Sequence, residues 1–208
     1  MELTGQILSI IAMGVYILSF QAKKQKAIIT FQMIANSLFA ISFFMLDAKM
    51  GMILNIISAI RALLFMYKKQ LKTDHIVWLI GFIAVYIATY AFTMVTFIKE
   101  FWPTVSPQTL TSLSSLPFIP FVITVWGEFK PLIITALLEF IPLIGMVATT
   151  LGYRAKNAQA VRVAGLVNEP AWLVYNVYSF SIGAIFCNVF SLISAIVGLV
   201  RFNKQKKA

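Results

Sequence analysis

The chain holds one cysteine, one histidine and seven acidic side chains in 208 residues. A lone thiol excludes an internal disulfide framework, and one Cys with one His cannot furnish a zinc site of the Cys/His kind. No metal and no cofactor are expected. Charged residues are 12% of the sequence, about half the ~25% of ordinary soluble domains. HExxH, GxSxG, Walker A and dinucleotide-loop motifs are all missing, and nothing points to an enzyme.

Apolar residues are abundant instead: 60% of the chain is hydrophobic and the mean hydropathy is +0.88. Apolar runs fall at about 4–20, 28–46, 50–67, 75–98, 131–151, 160–178 and 182–201, each near the ~17–25 residues that cross hydrocarbon. The fold class read from this pattern is all-α, a polytopic membrane bundle of seven spans. The opening run MELTGQILSIIAMGVYILSF has neither a basic n-region nor a small-x-small cleavage site, and reads as a retained first span.

The net charge of +10 is expected to sit in loops over lipid headgroups, so no nucleic-acid partner is needed. With the N-terminus outside, 13 basic residues lie in inner segments: Lys23, Lys24, Lys26, Lys68, Lys69, Lys72, Arg154, Lys156, Arg162, Arg201, Lys204, Lys206 and Lys207. Only Lys49, Lys99 and Lys130 lie outside. Counting 110–126 as an eighth span would split the loops seven against nine and put the basic tail outside, so the positive-inside tendency selects seven. On that count 101–130 is an outer-face element, a re-entrant hairpin or a surface helix. The C-terminus is then cytoplasmic.

A shift of 132 residues lays QMIANSLFAISFFMLDAKMG (32–51) over AGLVNEPAWLVYNVYSFSIG (164–183), with Asn36 on Asn168 and Gly51 on Gly183. One further residue in the second copy sets Asn55 against Asn188 and Ser58 against Ser191. The order of basic loop, mid-helix Asn, Gly-containing turn and early-helix Asn recurs, which argues for an internal duplication. The domains are accordingly 1–72, a first three-helix repeat; 73–130, a linking span with the outer insertion; and 131–208, a second repeat with a basic tail. Two parallel-related bundles with a site between them at the midplane are a recurrent transporter plan.

Polar groups inside hydrocarbon face the bundle interior and mark sites by default. Asn36, Asn55, Asn168, Asn176 and Asn188 either bond helix to helix or line a common polar path, where an amide's donors and acceptor suit a neutral polar solute. Trp172 anchors or lines that path. A lone Arg or Asp at a span centre costs about 2.5–3.5 kcal/mol, so Arg61 is expected to pair with Glu139 or Glu169, as a structural lock or as a gate or solute contact, or else to snorkel to the inner surface. Pro170 and Pro142 are expected to kink their helices towards each other, bringing Glu139 and Glu169 to share Arg61 or a proton. The expected partners are the lipid bilayer and a small polar solute, nucleoside-like or sugar-like; a homo-oligomer is a possible assembly. The other reading is a non-transporting scaffold, assembly factor or sensor subunit with a structural polar core.

FIPLIGMVATTLGYRAKN, with the later EPAWLVYNVYSFSIGAIFCNVFSLISAIVGLVRF, resembles the C-terminal half of the bacterial inner-membrane family named after YgjV. QKAIITFQMIANSLFAISFFMLDAKMGMILNIISAIRALLF resembles its N-terminal half. The likeness rests on Ile141-Pro142 at a helix start, on Trp172, Tyr175 and Asn176, on the Ser181–Gly183 turn, and on Asn55 with Arg61. It adds Tyr175 to the path residues and implies residence in the bacterial cytoplasmic membrane. It also implies a three-plus-one-plus-three organisation similar to the SWEET and PnuC transporters.

Overall fold

A computed structural model describes residues 2–46, 49–102, 117–178 and 182–204. The described residues form helices α1 (Glu2–Ser19), α2 (Gln25–Met45), α3 (Lys49–Met66), the single turn α4 (Lys68–Leu71), and α5 (Ile76–Phe101). Three more follow: α6 (Phe118–Arg154), α7 (Ala158–Tyr178) and α8 (Ile182–Lys204). Each predicted apolar run is helical, as hydrocarbon requires of a backbone that must satisfy itself.

By length and composition, Gln25–Met45, Ile76–Phe101, Phe129–Arg154 and Gly183–Asn203 can cross a membrane, and Leu3–Ser19 and Gly51–Met66 are shorter apolar helices. Helix α7 is of spanning length at 21 residues, but it buries Arg162, Asn168, Glu169 and Asn176. Its polarity is turned inwards. The same inversion runs through the molecule: Gln32, Asn36, Arg61, Thr150 and Glu169 are buried, while Leu3, Ile10, Phe44, Val77 and Phe92 are exposed. Lipid, not water, is the solvent that this surface fits.

The stretch 101–130 departs from the expectation of a separate outer element. Its second half, from Phe118, is the start of α6, which continues without a break through Pro131 and Pro142 to Arg154. Nothing between Trp126 and Pro131 forces a turn, and proline removes only one N–H from the helical ladder. Thirty-seven residues at 1.5 Å each span about 55 Å, well beyond the ~30 Å of hydrocarbon. Within α6, Phe129–Arg154 has the length and apolar composition to cross. Residues 103–116, Asp47, Ala48 and the Ser181 turn lie outside the described residues.

Consecutive helices pack in two sets, α1–α2–α3 and α6–α7–α8, with α5 leaning on α6. Between the sets α1 meets α8, α2 meets α7 and α3 meets α6. The α6–α7 contact depends on glycine: a Cβ on Gly152 would stand 2.7 Å from Ala164 Cβ and 3.0 Å from the Ala160 carbonyl. Without a hydrophobic force between helices in lipid, such close backbone approach supplies the attraction.

The two sets also cap each other at one end of the bundle, the end rich in Lys and Arg. Gln25 Nε2 donates to the carbonyls of Gly152, Tyr153 and Ala155 at 3.1, 3.1 and 2.7 Å, and Lys68 Nζ donates to those of Arg154 and Ala155. In return Arg162 donates to the Phe20 and Ala22 carbonyls at 2.8 and 2.5 Å, at the end of α1. Expected from sequence to be a loop cation, Arg162 is buried. These bonds use the orphan carbonyls of helix C-termini.

Candidate functional site

A cavity of about 590 Å³ lies between the two sets. Helices α2 and α3 contribute Asn36, Phe39, Asn55, Ser58 and Arg61, and α6 contributes Glu139 and Met146. Helix α7 adds Asn168, Glu169, Trp172, Tyr175 and Asn176, and α8 adds Cys187 and Asn188. All ten residues singled out from sequence thus border one space. They are far apart in the chain, and only the meeting of α2 with α7 and of α3 with α6 gathers them.

Glu169 is its polar centre. Its Oε1 accepts from Tyr16 Oη at 3.0 Å and Asn168 Nδ2 at 2.9 Å, and its Oε2 accepts from Asn188 Nδ2 at 3.0 Å. Asn176 Nδ2 in turn donates to Asn188 Oδ1 at 2.7 Å. Three donors occupy most of the acceptor capacity of its two oxygens. Asn168 is seated by Gly145, where a Cβ would come 2.9 Å from Asn168 Oδ1. Helix α7 runs through Pro170, which leaves the Leu166 carbonyl without its usual amide partner.

The expected pairing of Arg61 with a carboxylate does not form. Its Nη1 donates to Tyr86 Oη and to the Met146 carbonyl, both at 2.9 Å, and to Thr150 Oγ1 at 3.5 Å. The guanidinium also lies 5.3 Å from the centre of the Tyr153 ring. The carbonyl of Met146 and two hydroxyls are closer than either carboxylate because α3 meets α6 at this level, while Glu169 faces α1 and α8. Glu139 and Glu169 share no proton either: Glu169 is taken by Tyr16, Asn168 and Asn188, and the Glu139 carboxyl faces the phenol of Tyr175.

Asn36 and Asn55 stand apart from this network. Asn55 Nδ2 returns to the Gly51 carbonyl of its own helix at 2.8 Å. Asn36, 7% exposed, borders the cavity and has no hydrogen-bond partner among the described residues. Trp172 and Tyr175 meet edge to face at 5.8 Å, and Phe39 stacks on Phe43. Aromatic walls thus flank the amides on both sides.

The cavity is one-sided. Its rim includes Phe43, Gly51 and Ala184, which belong to the end of α2 and the starts of α3 and α8. Its floor lies towards the Lys- and Arg-rich end, where Tyr153 Oη donates to Gln32 Oε1 at 2.6 Å. Below it Ile28, Phe65, Phe82 and Val161 pack with Tyr153 into a closed core. Sequence reasoning passed over Tyr16, Tyr153 and Phe39, and marked Ser58 only as a repeat match. An isolated Tyr or Phe in an apolar run carries no polarity signal; Phe39 lies one turn from Asn36 on α2, while no predicted site residue stands beside Tyr16 on α1 or Tyr153 on α6.

Among the described residues no cluster of His, Cys, Asp and Glu could hold a metal ion. Comparison with curated proteins and with solved structures gives no match. The family model described as a bacterial inner membrane protein of the YgjV type matches residues 3–130 and, in a second match, 107–206. With most of its length matched and its helices inverted for lipid, the chain belongs to the YgjV family of bacterial inner membrane proteins.

Proposed function

We propose that the protein is a non-enzymatic membrane carrier for a small polar metabolite, held in the cavity between the two helix sets. The observation that carries this reading is the cavity itself, with Asn36 and Asn55 entering from one set and Asn168, Asn176, Asn188 and Glu169 from the other. Its volume of about 590 Å³ falls within the ~300–1,000 Å³ typical of ligand sites. The paired contacts α1–α8 and α3–α6, with α2–α7 between them, are those that a two-fold relation of repeats would produce. They support seven spans arranged three-plus-one-plus-three, with residues 1–72 and 131–208 as the repeats.

Alternating access follows from the one-sided cavity. Solute enters at the rim of Phe43, Gly51 and Ala184, and release requires the Tyr153–Gln32 floor to part. The basic end is read as cytoplasmic, in line with the positive-inside tendency. Labelling of Ala158→Cys in a Cys187→Ser background tests the orientation: modification by an impermeant thiol reagent in intact cells would reverse it.

A scaffold reading draws on one observation, the mutual satisfaction of Asn176, Asn188, Asn168 and Glu169. Uptake into reconstituted vesicles across a panel of sugars, nucleosides, amines and amino acids decides between the two. The carrier reading expects saturable flux of at least one solute, abolished by Asn36→Ala. Absence of flux for every class, with Asn36→Ala as stable as the parent, would favour the scaffold.

A further inference from the structure

We infer that the cavity selects a small organic amine in its protonated form, with the ammonium at Glu139 and a hydrogen-bonding tail at Asn36. This rests on the carrier reading and narrows it.

The first support is an unmet electrostatic demand. Two carboxylates, Glu139 and Glu169, border the cavity, and among the described residues neither has a cationic partner. Glu169 is buried and Glu139 half-buried, and a carboxylate taken out of water is ordinarily paired. The single cation of the cavity, Arg61, is engaged by Tyr86, Thr150 and the Met146 carbonyl instead. Glu169 is nearly saturated by its three donors, whereas Glu139 has only the Tyr175 phenol against it. Glu139 therefore keeps acceptor sites free for a ligand.

The second support is shape. Glu139 also borders a niche of about 20 Å³, whose lining includes Tyr86, Tyr90, Pro142, Trp172 and Tyr175. That volume admits a group the size of one water, which needs ~10–15 Å³; an ammonium head is of this size. Aromatic rings attract a cation placed over their faces.

The third support is Asn36, more than nine-tenths buried, bordering the cavity and without a hydrogen-bond partner among the described residues. Its amide offers donors and an acceptor to an amide or hydroxyl on the solute. Six residues separate Glu139 from Gly145, which abuts Asn168, and Asn36 stands about as far along α2 as Asn168 does along α7. The two subsites are thus offset by about 9 Å along the bundle, the reach of a short aminoalkyl chain with a polar end.

The test uses the purified full-length protein and two probes, 4-aminobutanamide and 4-hydroxybutanamide, which differ only in ammonium against hydroxyl. Binding is read by calorimetry and by tryptophan fluorescence. The expected result is at least tenfold tighter binding of the amine, a preference erased by Glu139→Gln, with Asn36→Ala weakening both probes alike. The wild-type comparison needs no variant and stands even if Glu139→Gln fails to fold. Equal binding of the two probes, or no binding of the amine at millimolar concentration, overturns the inference. So does abolition of amine binding by NaCl but not by choline chloride, which would mark an inorganic-cation site. Amine binding without flux into vesicles would sustain the amine site and sink the carrier reading. Saturable flux of a neutral solute with equal binding of the two probes would do the reverse.

Discussion

Arg61→Met separates two accounts of the charge at the centre of this bundle. If Arg61 neutralised Glu139 or Glu169, its removal would strand a buried carboxylate and cost about 3–5 kcal/mol. The observed contacts give a different sum. Tyr86 Oη and Thr150 Oγ1 already bond each other at 2.8 Å, and Thr150 Oγ1 donates to the Met146 carbonyl at 2.8 Å. Deleting the guanidinium leaves these groups satisfied by one another. The loss is then three hydrogen bonds from a charged donor, about 1.5–3 kcal/mol each at good geometry, offset by the several kcal/mol of desolvation of a guanidinium whose Nε has no partner. Methionine fills much of the vacated volume and adapts to irregular gaps. The net change in stability should lie within about 1 kcal/mol of zero. Reversible unfolding in mixed micelles, or steric trapping in bicelles, measures it. A loss above about 3 kcal/mol would show that a carboxylate depends on Arg61, and the hydrogen-bond account would be wrong.

The remaining predictions concern packing, capping and the floor. Gly152→Val meets Ala164 and the Ala160 carbonyl at the α6–α7 contact and should destabilise by about 1–3 kcal/mol. Gly14→Ala, with nothing within 4 Å of the new Cβ, should be neutral or gain up to about 1 kcal/mol; equal melting shifts for the two would refute the close-approach argument. Gln25→Ala alone should cost about 1 kcal/mol, because Lys68 Nζ also reaches the Tyr153 and Ala155 carbonyls. The double change with Lys68→Met should exceed the sum of the single ones in a double-mutant cycle, and strict additivity would show that the caps are independent. Lys72, the residue with a left-handed backbone at φ 49°, closes α4, so Lys72→Gly should raise stability by about 0.5–1 kcal/mol in a thermal melt. Tyr153→Phe removes the bond to Gln32 and should make cysteines introduced at Ile28 or Val161 more reactive from the basic end; unchanged reactivity would mean that this bond does not hold the floor shut.

The helices and their environment were legible along the chain because each depends on a local property. A run of apolar residues must be helical in hydrocarbon whatever it later touches, and the Lys and Arg that gather at one end of the bundle were visible as clusters between runs. Asn36, Asn168, Glu139, Glu169 and Arg61 were likewise conspicuous, since any polar group in such a run needs an interior to face. Helix α6 was misread at its start because proline and a few charges look like a boundary, while an unbroken backbone ladder tolerates both.

Sequence alone determined which residues must be kept from lipid. It did not determine which of them meet. Arg61 turned to Tyr86 and the Met146 carbonyl, Glu169 to Tyr16 and Asn188, and Arg162 to the end of α1, each choice set by the level and rotation at which two helices cross. Gly145 and Gly152 set the close approach of α6 and α7, and Gly165 and Gly198 admit Phe20 and Arg162 at the end of α1. An error of one residue turns a side chain by about 100° around its helix, so only the packed bundle could turn a list of polar residues into one cavity with a closed floor.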